Sequence, residues 1–76
     1  MALKDELRLM REAKGMAQAD LADAIGVCST TVYNWERGAS KPNFRKIRII
    51  AKILGVSEQE LLHLREEENE DSKNVL

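Results

Sequence analysis

Apolar residues recur every three or four positions along most of the chain, the spacing of an amphipathic helix rather than of a strand. Leu3, Leu7 and Met10 mark one face of a first helix that Gly15 is placed to end, and Met16 reads as a core residue in the connection. Leu21, Ala22 and Ile25 mark a second helix, which begins near Gln18 and turns at Gly26, a residue free to take positive φ. Val32 and Trp35 mark a third, starting at Cys28 or Ser29 and closed by Gly38; with Cys28 as the cap, Val27 and Val32 occupy the positions of a hydrophobic staple. Pro42 forbids continuation of that helix. Phe44, Ile47, Ile50, Ala51 and Leu54 then trace one face of a fourth, the most hydrophobic, ended by Gly55. Ser57 with Glu60 forms a capping box, Val56 with Leu61 a staple, and Leu61, Leu62 and Leu64 give a short fifth helix with apolar surface to offer. The expected architecture is all-α, five short helices in one compact domain.

Helices two and three are too short to be stable alone in water, so the remaining helices are expected to supply a core for both. Two short helices meeting across a glycine form a helix-turn-helix pattern. With Val32 and Trp35 inward, a rotation of ~100° per residue puts Thr30, Asn34 and Arg37 on the opposite side, Tyr33 on the flank and Ser29 at the exposed tip. That face carries no acid. Glu36, the carboxylate of this helix, lands near the inward edge, where an acid needs a partner. The inward phase of Trp35 assigns it to core packing rather than to base stacking. Ala17 is a weak cap, so the start of helix two is expected to fray, although Asp20 in its first turn suits the positive end of the helix dipole.

Charge changes this picture more than composition does. The formal net charge is -1, but residues 1 to 65 hold eleven Lys/Arg against eight Asp/Glu, whereas residues 66 to 76 hold one Lys against five acids. A basic body of +3 is therefore masked by an acidic end of -4. Arg37, Lys41, Arg45, Lys46, Arg48 and Lys52 follow one another with only Glu36 of opposite sign nearby, and a local field of this kind is what an anionic ligand meets at short range. Residues 1–64 are read as the folded domain, and residues 65–76 as a frayed helix end followed by disorder, because an acidic stretch so poor in apolar residues cannot offset the entropy cost of ordering.

The length of 76 residues leaves room for a small core and for no catalytic pocket of any size. A single cysteine and a single histidine supply neither an internal disulfide nor a metal-binding cluster, and no cofactor or small-molecule site is evident. No apolar run reaches the ~18 residues of a membrane span, and the N-terminus has no hydrophobic signal segment, so a cytoplasmic location is expected. Cys28 is read as a capping or packing residue before a redox sensor, and His63 as a surface residue.

Residues 3 to 64 resemble the phage repressor and Cro-like helix-turn-helix family, the xenobiotic-response-element type of bacterial regulators. The resemblance rests on Leu-Arg-Leu-Met-Arg-Glu-Ala-Lys-Gly followed by Gln18, on the Leu-Ala-Asp-Ala-Ile-Gly-Val turn, on Val-Tyr-Asn-Trp-Glu-Arg-Gly, on Lys41-Pro42, and on Leu-Gly-Val-Ser with its leucines. It implies a lambda-repressor-like domain with the helix-turn-helix at helices two and three. It also implies that Gln18 holds a backbone phosphate and braces the recognition helix, that Ser29, Thr30 and Asn34 reach base edges, and that Thr31 or Cys28 touches phosphate. Arg11 is the implied partner of Glu36, and Lys41 and Asn43 would meet the opposite phosphate strand, with Arg45 a further candidate. Two departures matter. Cys28 and Ala17 stand where small hydroxyl caps are usual, and Ser29 and Thr30 replace longer glutamines, so base readout is expected to lean on Asn34, Tyr33 and Arg37.

The function expected is therefore sequence-specific regulation of transcription, most simply repression, by a homodimer on a palindromic operator in the bacterial nucleoid. Double-stranded DNA is the expected partner, and helix five or the C-terminal segment the expected dimer surface. The alternative is a protein-interaction module, an antirepressor or antitoxin component, whose acidic end engages a basic partner.

Overall fold

The apolar stripes of five helices converge on one core. A computed structural model describes residues 2–74, with side chains through residue 66, and the helices are α1 (Leu3–Ala13), α2 (Gln18–Ile25), α3 (Ser29–Glu36), α4 (Phe44–Leu54) and α5 (Glu58–Asn74). Leu3 and Leu7 from α1, Leu21, Ala22 and Ile25 from α2, and Val32 and Trp35 from α3 are buried against Ile47, Ile50, Ala51 and Leu54 of α4 and Leu61 of α5. Each large apolar side chain removed from water contributes about 1.5–3 kcal/mol, which is what holds two eight-residue helices in place that could not persist alone. α2 lies against α3 and α4, α1 against α3 and α5, and α4 against α5. The α2–α3 pair therefore rests on a platform made by the other three helices.

The turn between α2 and α3 depends on Gly26, whose φ of 90° is one that side-chain-bearing residues rarely adopt. Its N–H and that of Val27 both donate to the Ala22 carbonyl, at 2.8 and 3.0 Å, closing α2 within one turn. The start of α2 is held, contrary to the fraying expected of an alanine cap. The Asp20 carboxylate accepts the Ala17 N–H at 2.9 Å, which is the reciprocal half of a capping box and needs nothing from the cap's own side chain. Cys28 caps α3 by backbone geometry alone, with no side-chain bond. Asn43 caps α4, its Oδ1 accepting the Lys46 N–H at 2.9 Å.

Two expectations need correction. Phe44 is 59% exposed instead of joining the core face of α4. It is the first residue of that helix, a turn ahead of the buried stripe, and Pro42 takes the interior position before it. Leu61 is fully buried in its own domain, so it offers nothing to a partner, while Leu62 and Leu64 are half-buried against the core. α5 runs from Glu58 through the acidic run to Asn74; glutamate is a good helix former even where no apolar stripe follows. Val75 and Leu76 lie outside the described residues. Among the described residues there is no strand, and no helix is long and apolar enough to cross a membrane.

Candidate nucleic-acid interface

The phase of α3 divides its side chains by burial. Val32 and Trp35 are 1% and 5% exposed, whereas Ser29, Thr30, Tyr33 and Arg37 are exposed and Thr31 and Asn34 half-buried. The outward surface therefore consists of hydroxyls, one amide, one phenol and one guanidinium.

Behind this surface, Glu36 fixes the end of α3. Its carboxylate accepts from Arg11 Nε at 2.7 Å and Arg11 Nη2 at 3.0 Å, a two-pronged pair, and from Gln18 Nε2 at 3.1 Å. Arg11 Nη1 also donates to the Met16 carbonyl at 2.6 Å, so one guanidinium joins α1, the α1–α2 connection and α3. The hydrogen bond to Glu36 raises the Arg11 pKa above its ordinary value, more than burial lowers it. The arrangement has the geometry in which removing a buried acid from water is compensated, with planar fork facing carboxylate. Gln18, read from the sequence as a phosphate contact and brace, has its amide nitrogen on Glu36.

On the outer side, Tyr33, Asn34 and Arg37 come together. Arg37 Nε donates to Asn34 Oδ1 at 3.1 Å, and the Arg37 guanidinium lies 5.6 Å from the centre of the Tyr33 ring. Positions three and four apart on a helix are neighbours, which is why this grouping forms. The Asn34 backbone carbonyl accepts from Ala39 at 2.9 Å and Ser40 at 3.4 Å, tying the loop after α3 to the same residue. Gly38 (φ 80°) lets that loop pass against α1, since a Cβ there would stand 2.9 Å from Lys4 Cδ.

The remaining candidates lie around this centre. Cys28 is a free, exposed thiol at the start of α3. Lys41 is half-buried in the loop, and Asn43 and Arg45 are exposed at the start of α4. Asn43 was legible as a cap, since asparagine directly precedes the α4 apolar stripe, but its capping role was missed. So was Arg65, whose Nε donates to the Pro42 carbonyl at 2.8 Å and whose guanidinium covers the Phe44 ring at 4.7 Å, holding the loop that carries Lys41 against α5. No local spacing links residues so far apart in sequence. An open groove of about 370 Å³ between α1 and α3 is lined by Arg8, Arg11, Glu12, Gln18, Tyr33, Glu36 and Arg37, and so borders the outer face of α3. Among the described residues no group could hold a metal ion.

A glycine turn between two short helices, the second buried along one side and polar along the other, defines a helix-turn-helix domain. The helix-turn-helix family model matches residues 7–61, and the chain belongs to that family. The HTH-type transcriptional activator BcrR of Enterococcus faecalis is 32% identical over 62 residues, which are 82% of this chain and 30% of the activator. The chain thus spans less than a third of that relative's length. The P22 c2 repressor in complex with a synthetic operator superposes with a TM-score of 0.76 at 26% identity, over 80% of this chain and 92% of that one. SinR, the master regulator for biofilm formation, in complex with DNA, shares the fold with a TM-score of 0.72 at 24% identity, over 79% of this chain and 97% of that one. The family is one of DNA-binding transcription regulators and is not enzymatic.

Proposed function

We propose that this chain binds double-stranded DNA sequence-specifically as a homodimer on a palindromic operator in the bacterial nucleoid, and that it acts as a repressor. The observation that carries the reading is the acid-free outer face of α3, set on a helix whose inner carboxylate is locked by Arg11 and Gln18. A helix presented in this way enters a major groove and reads base edges from a fixed backbone. Ser29, Thr30, Tyr33, Asn34 and Arg37 supply base contacts in this reading. Gln18 retains a second amide N–H beyond the one given to Glu36, and donates it to a phosphate beside the N-terminal amides of α2. Cys28 and Thr31 at the start of α3, with Lys41, Asn43 and Arg45 around the α3–α4 loop, supply the other phosphate contacts; Asn43 does so through Nδ2, because Oδ1 caps α4.

One such domain offers few contacts, and two related by a twofold axis double them. Their recognition helices would enter successive major grooves ~34 Å apart. The half-buried Leu62 and Leu64 on α5 favour that helix as the meeting surface. The test is selection of bound sequences from a randomised duplex pool at about physiological salt, where unspecific attraction is suppressed. Two inverted half-sites spaced by about one helical turn are expected. A single half-site would remove the dimer, and the absence of any enrichment would move the function to protein interaction. A reporter carrying the selected site should fall in output when the chain is expressed; a rise would make it an activator.

A further inference from the structure

Asn34 does not stand alone on the outer face of α3. Its Oδ1 accepts from Arg37 Nε at 3.1 Å, and Arg37 is held in turn over the Tyr33 ring, 5.6 Å from its centre. A guanidinium has donors only, so this bond identifies the amide oxygen and sets the rotation of the amide plane. One of the acceptor positions on that oxygen is filled. What the pair still offers is the Nδ2 hydrogens of Asn34 and the terminal N–H groups of Arg37, donors almost throughout, next to a full positive charge.

A free asparagine reads adenine by donating to N7 and accepting from the N6 amino group. Here an approaching amino group would meet the guanidinium. Guanine presents O6 and N7, both acceptors, on the same edge, and the terminal fork of Arg37 matches them. We infer that Arg37 is a specificity-determining residue acting with and through Asn34, so that the pair selects guanine over adenine at the base pair it faces. The inference rests on the DNA-reading function proposed above.

The experiment is the same pool selection, run with the unaltered chain and with Arg37→Ala and Arg37→Lys, each first checked for unchanged helical circular dichroism; Arg37 is exposed and lies outside the core. The unaltered chain should enrich guanine at one position of each half-site. In Arg37→Ala the guanine-to-adenine ratio at that position should fall by about tenfold or more, with neighbouring positions unchanged. Arg37→Lys keeps the charge but not the planar fork, and should lose the guanine preference as well. Guanine retained by either variant, adenine selected by the unaltered chain, or a loss spread evenly over the half-site would each overturn the inference while leaving sequence-specific binding intact. If the unaltered chain enriches nothing, both the inference and the function beneath it fall.

Discussion

Glu36 and Arg11 face each other across the seam between α3 and α1 at 2.7 and 3.0 Å, with side chains only 4% and 10% exposed. The acid sits one residue before Arg37 and two after Asn34, so whatever holds Glu36 also holds the outer face of α3 in register. Arg11→Ala would leave a buried carboxylate with only the Gln18 amide, a loss of about 3–5 kcal/mol, large for a domain of this size. Arg11→Met combined with Glu36→Leu should be clearly more stable than Arg11→Ala, because no unpaired charge remains. Urea unfolding followed by circular dichroism measures both, and a single-variant loss below about 1 kcal/mol would mean that the pair behaves as if exposed. The raised pKa of Arg11 also fixes where its contribution would be lost. Since the folded pKa of Arg11 is raised, its contribution is complete below the ordinary arginine value and is lost only as pH rises through the higher folded one. Arg11 therefore adds no pH dependence to stability through the neutral range.

Asn43 is a helix cap whatever else it does. Asn43→Ala should cost about 1 kcal/mol, which in a domain of this length lowers the thermal midpoint by roughly 4–8 °C, and Asn43→Asp should recover most of it. Unchanged thermal stability in Asn43→Ala would show that the bond to the Lys46 N–H carries no weight.

Helical spacing alone was enough to locate all five helices and most of the core, because Leu21, Ala22, Ile25, Val32 and Trp35 recur with a period that only a helix satisfies. The same rotation showed that Glu36 pointed inward and needed a partner. It could not say which, since Arg11 is 25 positions away and joins it only through the packing of α1 on α3; the family resemblance supplied that residue. Phe44 was misread because periodicity does not tell where a buried stripe begins. The Arg65 contact to Pro42 and Phe44 and the Lys4 stem over Gly38 were invisible for a related reason, as both depend on how separate elements come together. The Asp20 bond to the Ala17 N–H is a local three-residue relation, legible in the sequence once Asp20 is taken as the acid of a capping box and not only as a partner of the helix dipole.

Base readout and phosphate contact predict different behaviour for two nearby residues. Asn34→Ala should relax preference at one position of the operator and leave the others as they were. Lys41→Ala should weaken all sequences alike and reduce the slope of log affinity against log salt by about one unit. Binding titrations against the operator, single-base variants and random duplex at several salt concentrations separate the two. Equal effects of both substitutions on every sequence would exchange direct readout for a purely electrostatic footprint.

The acidic end distinguishes DNA binding from the protein-interaction alternative. Removing residues 66–76 takes away five acids and one lysine, a change of +4 in net charge, and leaves every buried core residue in place. For a DNA-binding chain, affinity at low salt should stay the same or rise, with the gain fading toward high salt as screening shortens the reach of the tail's field. An interaction module working through its tail would instead lose its partner. The cut must stop short of Arg65. That side chain donates to the Pro42 carbonyl at 2.8 Å and covers Phe44, so Arg65→Ala in the full chain should destabilise by about 1 kcal/mol and loosen the loop bearing Lys41. Affinity that falls on deleting residues 66–76, with stability unchanged, would mean that the acidic helix end takes part in binding, and would direct attention to dimer contacts made along α5.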